Sequence, residues 1–357
     1  MIAFLKRIDW QLMLAVALLS GAGMISLLSS QREMLYKQIS WFGISILVAL
    51  ILAVLDLRSF FSHKAILRWL YLFICGLLGF AYLFAPSIKG NRSWIFLGSF
   101  QIQPSEFAKV ILILILAYFF SKAHIGIGRW SIVLKSFLYF VPLGLLIAAL
   151  PDMGSAMVLF CLWFGLVLVS GMPIKKIIIS FLIGLVALVV VWVFILKPYQ
   201  KDRVMGAIFP ERDPMGVNYH VIQSKIAIGS GGIFGKGFGQ GTQIQLGFLP
   251  EAQTDFIFAA IAEEGGFLAI LLLVGSFGWM VIRILKIGIM IDGNIYKYIC
   301  LGTAILFIVQ FVFNIGSNIG LIPVIGVTLP FVSYGGSSLL ANMLLIGIIQ
   351  SAWIRRS

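Results

Sequence analysis

Phe248-Leu-Pro-Glu251-Ala-Gln-Thr254-Asp255-Phe-Ile-Phe258 stands where a long polar segment meets an apolar run that continues to about residue 285. An apolar run of about 20 residues or more crosses a bilayer as a helix, so the junction reads as the mouth of a membrane span. Glu251 and Asp255 lie four residues apart, a spacing that puts both carboxylates on one helical face. Ionisable groups at membrane depth are costly, which makes the two acids functional candidates. The competing reading is a pair of helix-start acids that satisfy the helix dipole.

Further apolar runs flank this one on both sides. With 255–285 they make ten expected spans: 10–30, 36–56, 66–86, 104–121, 132–150, 153–171, 176–196, 298–316 and 335–354 are the others. A composition of 61% hydrophobic and 11% charged residues, with a mean hydropathy of +1.07, excludes a soluble domain. The expected architecture is an all-α polytopic membrane protein of about ten transmembrane helices, one domain over residues 1–357. It has a long loop between helices 7 and 8 and a broken, re-entrant segment between helices 9 and 10.

Basic residues set the expected orientation, because they accumulate in short cytoplasmic loops. Lys6-Arg7, Arg58, Lys64, Arg68, Lys122, Arg129, Lys135, Lys175-Lys176, Arg283, Lys286, Lys297 and Arg355-Arg356 fall on one side. Both termini are therefore expected in the cytoplasm, and the 87–103, 197–254 and 317–334 segments outside it. The cytoplasmic-side loops hold more than half of the 26 Lys and Arg behind the net charge of +13, and anionic headgroups account for them without nucleic acid. The first span is too integrated with the spans after it to read as a cleaved signal peptide. Cys75, Cys161 and Cys300 lie inside expected spans, and His63, His124 and His220 lack ligand spacing, so no metal centre is expected.

Ten spans suggest a carrier, yet the two halves show no internal repeat of the kind many carriers have. The loops are lopsided instead. Residues 197–254 make a connection of about 58 residues, and connections that long tend to be functional. Its glycine cluster, Gly229 to Gly241, invites a phosphate-loop reading and fails it: Ser230 stands where a Walker loop needs glycine, and Gly237 where it needs a hydroxyl. What survives is a tightly turning, partly re-entrant backbone.

A second constellation on the same expected face is Asn91-Arg92-Ser-Trp94, followed by Gln103-Pro104-Ser105-Glu106-Phe-Ala-Lys109. Pro104 is a good helix start. Glu106 and Lys109 then fall at i and i+3 in an apolar span, facing each other or a wet cavity, either as a self-neutralised packing pair or as working charges. Arg92 beside Trp94 is an interfacial anchor or a cation for phosphate. Asp152, in Pro151-Asp-Met-Gly154, reads as a cap. Asn314 to Ser338, with glycines and prolines throughout, reads as broken backbone that must be buried in protein or line a cavity.

Asn91 to Lys109, Pro151-Asp-Met-Gly154, Gln223-Ser-Lys-Ile-Ala-Ile-Gly-Ser-Gly-Gly232, the Phe248–Phe258 stretch and Asn314 to Ser338 together resemble the SEDS family of RodA, FtsW and SpoVE, in the family's order and nearly end to end. The short amino-terminal tail and compact length are more similar to the elongation member, RodA, than to the division member. The resemblance implies a peptidoglycan glycosyltransferase that polymerises lipid II on the outer face of the cytoplasmic membrane, for elongation and rod shape, with the elongation machinery and a class B penicillin-binding protein as transpeptidase partner. It implies Asp255 as the essential carboxylate and catalytic base. The helix start favours its anion and partial burial opposes it. Glu251 orients the acceptor, helps hold a divalent cation, or caps the helix. Arg92, Lys109, Arg203 and Lys225 are the candidate cations for the lipid-linked diphosphate, with Trp94 beside them and Glu106 orienting Lys109. No tightly bound cofactor is expected beyond a magnesium or manganese ion travelling with the diphosphate.

Glu263 and Glu264 follow Asp255 by eight and nine residues, which on a continuous helix places them roughly 12 Å deeper, as packing or cavity-lining groups. Two rival readings remain: a lipid II transporter, in which the deep groups matter as much as Asp255, and a non-catalytic scaffold for the transpeptidase.

Overall fold

The computed structural model describes residues 7–86, 91–98, 100–123, 130–190, 201, 205–206 and 218–356. Its helices are α1 (Trp10–Ser30), α2 (Arg32–Val54), α3 (Arg58–Ser62), α4 (Lys64–Phe84), α5 (Pro104–Ala123), α6 (Trp130–Ala149), α7 (Met153–Val169), α8 (Ile174–Val190), α9 (Tyr219–Ser230), α10 (Thr242–Gln245), α11 (Ile257–Met290), α12 (Asn294–Asn318) and α13 (Gly336–Ile354). A helix lies in each of the ten expected segments, although residues 191–196 of the expected 176–196 span fall outside the described residues. Seven of them, α1, α2, α4, α6, α11, α12 and α13, are long and apolar enough to cross a membrane. This is a mostly helical, multi-pass membrane protein.

Local chemistry sets several helix starts. The Asp9 carboxylate accepts the Leu12 amide at 2.8 Å, capping α1. The Asp152 carboxylate accepts the Ser155 amide at 3.1 Å, capping α7 as expected, and α5 opens on Pro104. One element departs from the sequence reading: residues expected as plain loop form a hairpin, β1 (Ile95–Leu97) paired antiparallel with β2 (Phe100–Ile102), Phe96 opposite Gln101.

α13 is the hidden centre of the bundle, packed along α2 and against α5. α12 fills the space between α5, α7 and α11, and α11 lies along α1. Leu112, Leu116, Phe307, Leu345 and Ile349 meet in the fully buried core. At one end of the bundle, Arg283 of α11 forms an ion pair with Asp9, its Nε donating at 2.9 Å to Oδ2, and Gln350 of α13 donates to the Asp9 carbonyl at 3.0 Å. This clasp ties three helices together.

The opposite end is irregular. α11 is broken at Gly266, whose φ of 67° and ψ of −168° are non-helical. A Cβ there would fall 2.2 Å from the Gly235 amide nitrogen, so only glycine admits both the bend and the loop laid against it. The expected broken connection between the last two spans is residues 319–335, lodged among helices. Gln38 of α2 holds it, accepting from the Gly335 amide at 3.2 Å.

Candidate functional site

Asp255 sits in the turn that precedes α11, and the expected shared helical face with Glu251 does not form. Residues 250–256 are turns, with Glu251 at φ 54°, the Thr254 amide donating to the Glu251 carbonyl at 3.1 Å and the Phe256 amide to the same oxygen at 3.2 Å. Glu251 is exposed; Asp255 is half-buried. The helix begins only at Ile257.

Two asparagines fix the turn. Asn314 Nδ2 donates to the Asp255 carbonyl at 3.0 Å and to the Val327 carbonyl at 2.9 Å. One turn further along α12, Asn318 Nδ2 donates to the Asp255 carbonyl at 2.8 Å, while its Oδ1 accepts the Ala259 amide at 3.2 Å. The re-entrant segment completes the frame: Ser333 Oγ donates to the Thr254 carbonyl at 2.6 Å, and the Tyr334 amide to the Gln253 carbonyl at 2.9 Å. Asp255 Oδ2 then lies 3.8 Å from where a Cβ on Gly326 would stand. Buried amides with every hydrogen bond committed are rigid supports, so the carboxylate is presented by a fixed backbone. Sequence reasoning misses both asparagines. Their signal is two amides at i and i+4 at the end of an otherwise apolar helix.

α9 brings Lys225 to the same cluster. Ser224 Oγ donates to the Asn318 carbonyl at 2.8 Å, and the adjacent Lys225 is exposed with its ammonium against Gly320, 2.6 Å from where that glycine's Cβ would be.

Glu106 and Lys109 face one another, as their spacing implies. The ammonium lies 2.7 Å from Glu106 Oε1, with the Glu106 and Lys109 side chains 7% and 3% exposed, and Glu106 Oε2 has no hydrogen-bond partner among the described residues. The pair is thus buried in protein, and the residues just before it in α5 make a separate set of polar contacts. Gln103 donates its amide to Ser337 Oγ at 3.0 Å and its side chain to Asp152 Oδ2 at 3.0 Å, and Ser105 donates to the same oxygen at 3.0 Å. Ser338 and Thr328 share a hydrogen bond of 3.1 Å, next to the Val327 that Asn314 holds. Arg92 is exposed and Trp94 half-buried on the strand leading into β1. Arg203 lies outside the described residues.

The depth expected for Glu263 and Glu264 is wrong. Both acids precede the bend at Gly266, on the short first part of α11, and Glu264 accepts from Ser29 at the end of α1 farthest from the clasp. Glu263 is fully buried and pairs with Lys236 at 2.7 Å, which fits a packing role. The glycine cluster wraps these acids: the Lys236 amide donates to the Glu263 carbonyl at 2.9 Å and the Gln243 amide to Glu263 Oε1 at 3.0 Å.

The arrangement offers a positioned carboxylate, cations on neighbouring elements and apolar helices around them. A family model described as cell cycle protein, for FtsW, RodA and SpoVE, matches residues 3–356. The peptidoglycan glycosyltransferase MrdB of Escherichia coli K12 is 34% identical over 347 residues, covering 97% of this chain and 93% of that one. Stage V sporulation protein E of Bacillus subtilis is 36% identical, covering 73% and 71%. Among solved structures, a chain of a peptidoglycan synthase complex that coordinates polymerization and crosslinking superposes with a TM-score of 0.82 at 34% identity, covering 97% of both chains. The rod shape determining protein RodA of Thermus thermophilus superposes with a TM-score of 0.71 at 28% identity, covering 98% of this chain and 97% of that one. The end-to-end family match, with a shared fold at this level of identity, establishes that the chain belongs to the SEDS family of FtsW, RodA and SpoVE.

Proposed function

We propose that the protein is a peptidoglycan glycosyltransferase that polymerises lipid II for cell elongation, with Asp255 as its base. The observation that carries this is the backbone frame: Asn314 and Asn318 both clamp the Asp255 carbonyl, leaving the side chain half-buried at an irregular bundle end. Relatives named as peptidoglycan glycosyltransferases support the reaction class.

Transfer of a disaccharide from a lipid diphosphate to a sugar hydroxyl needs a base at the acceptor and cations at the departing diphosphate. Asp255 takes the proton of the acceptor hydroxyl as that oxygen attacks the anomeric carbon. The bond to the diphosphate breaks, and the leaving group departs with its electron pair. Lys109, held by Glu106, and Lys225, Arg92 and Arg203 supply positive charge for that group, while Glu251 orients the acceptor and Trp94 packs beside Arg92. A divalent cation, magnesium or manganese, enters this account as the diphosphate's own counterion. The basic loops support an orientation with both termini in the cytoplasm and Asp255 on the extracytoplasmic face. The structural relative from a synthase complex supports a class B penicillin-binding protein as partner.

The decisive experiment removes the membrane. In detergent micelles there is no compartment to cross, so a transporter or scaffold gives no product from purified lipid II. With its transpeptidase partner present but blocked, this protein is expected to give glycan polymer; absence of polymer with a correctly folded, partner-bound protein contradicts the proposal.

A further inference from the structure

A cleft of about 500 Å³ opens at the clasp end of the bundle, remote from Asp255, where α3, the end of α5, the α11–α12 turn and the end of α13 converge. Arg58, Lys122, Arg355 and Arg356 line it, with Asp292 in the lining and Asp56 beside it, 4.0 Å from Arg355 Nε. Arg355 and Arg58 are fixed: Arg355 Nη1 donates to the Ala53 and Ser351 carbonyls, each at 3.0 Å, and Arg58 donates to the Arg355 carbonyl. Lys122 and Arg356 are exposed, and the Arg356 guanidinium lies 3.2 Å from the centre of the Trp353 ring.

Two independent features give this cleft a ligand preference beyond a general basic surface. The first is the amino terminus of α12. This 25-residue helix starts from Gly293 with no side-chain cap bond from that residue and no acid in its first turn, and its amino-terminal end borders the cleft beside Asp292. The second is Tyr296, in that same first turn. The residue lines the cleft and is 7% exposed, yet its hydroxyl has no hydrogen-bond partner among the described residues. A buried donor left unpaired is costly, and an acceptor delivered into the cleft would satisfy it. Guanidinium groups, an ammonium and a phenolic hydroxyl are all donors, set beside the amino-terminal end of a helix, and a tetrahedral oxyanion matches that set.

We propose that this cleft binds a phosphate-bearing anion, with an anionic phospholipid headgroup or soluble phosphate as the two sources. The position favours the headgroup, because the cleft lies at the end of the spans, where lipid phosphates reside. Occupancy would cross-link α3, α5, α12 and α13 at the end remote from the chemistry.

The test uses full-length protein stripped of lipid in detergent. Unfolding temperature and native mass spectrometry are followed as phosphatidylglycerol, phosphatidylcholine or inorganic phosphate is added. Wild type is expected to retain phosphatidylglycerol and unfold at higher temperature with it, and phosphatidylcholine to have little effect. Lys122→Gln with Arg356→Gln should weaken that binding at least ~tenfold, since both side chains bind the anion through charge-assisted hydrogen bonds. Tyr296→Phe keeps the charges and removes a hydroxyl that has no partner among the described residues. It should therefore fold as well as wild type without lipid and still bind phosphatidylglycerol more weakly. Lys286→Gln, an exposed cation outside the cleft lining, is the control and should bind as wild type does. A saturable response to inorganic phosphate matching that to phosphatidylglycerol assigns the site to soluble phosphate. Unchanged binding in Tyr296→Phe and in the double variant, or equal weakening by Lys286→Gln, overturns the proposal.

Discussion

Lys109→Met removes the charge opposite Glu106 while nearly preserving the length of the side chain. The pair is 2.7 Å apart, its members are 7% or less exposed, and the second carboxylate oxygen already has no partner among the described residues. The Lys109 ammonium donates to the other oxygen, so the carboxylate depends on it. Removing one member of a buried pair leaves an uncompensated charge and costs about 3–5 kcal/mol, whereas replacing both with neutral groups of similar volume is often neutral or stabilising. Lys109→Met and Glu106→Gln are each expected to fall in that range. The double variant should recover most of the loss, giving a coupling of about 3 kcal/mol or more. Unfolding in detergent measures this, and polymer formation from lipid II at a temperature where all forms are folded measures function. If the pair only sets packing, the double variant polymerises normally. The proposed role for Lys109 at the diphosphate predicts a stable, inactive double variant. Additive destabilisation refutes the ion-pair argument, and wild-type polymerisation by the double variant refutes the functional one.

Asn318→Ala removes hydrogen bonds to the Asp255 carbonyl, the Asn314 carbonyl and the Ala259 amide at 2.8, 2.8 and 3.2 Å. At about 0.5–1.5 kcal/mol each, the stability loss should be about 2–4 kcal/mol, and polymerisation should drop about 100-fold through misplacement of the carboxylate by roughly 1 Å; a rate loss no greater than the folded fraction explains would contradict the clamp. Gly154→Ala would put a Cβ 2.1 Å from the Ile325 carbonyl oxygen, pressing α7 against the segment that carries Gly326. Overpacking of about 1–3 kcal/mol and weakened activity are expected, while Gly21→Ala, with open space around its Cβ, should be silent in both assays.

The spans are legible in the sequence because the bilayer imposes a length of about 20 apolar residues that composition alone satisfies. Pro104, the Asp152 cap and the Glu106–Lys109 pair are legible for a related reason, since each is decided within one helical turn. The Gly266 break is hidden because Gly265-Gly266 sits in an apolar run, where membrane helices tolerate glycine. Taking α11 as unbroken gives its first part, Ile257 to Gly265, the direction of the span that follows, and so misplaces Glu263 and Glu264. The hairpin carries a readable mark, two β-prone triplets around Gly98-Ser99, that a loop reading submerges. The Asn314 and Asn318 hydrogen bonds join residues 59 and 63 positions apart in sequence, and no periodicity records a tertiary clamp of that kind.

Glycan formation from lipid II by Asp255→Asn, with folding and partner binding matched to wild type, tests the central claim most directly. The substitution keeps the shape of the side chain and the clamped backbone, and removes only the capacity to take a proton. Polymer from wild type and none from Asp255→Asn is the predicted result. Polymer from both at similar rates would show that the carboxylate is not the base and would move attention to Glu251.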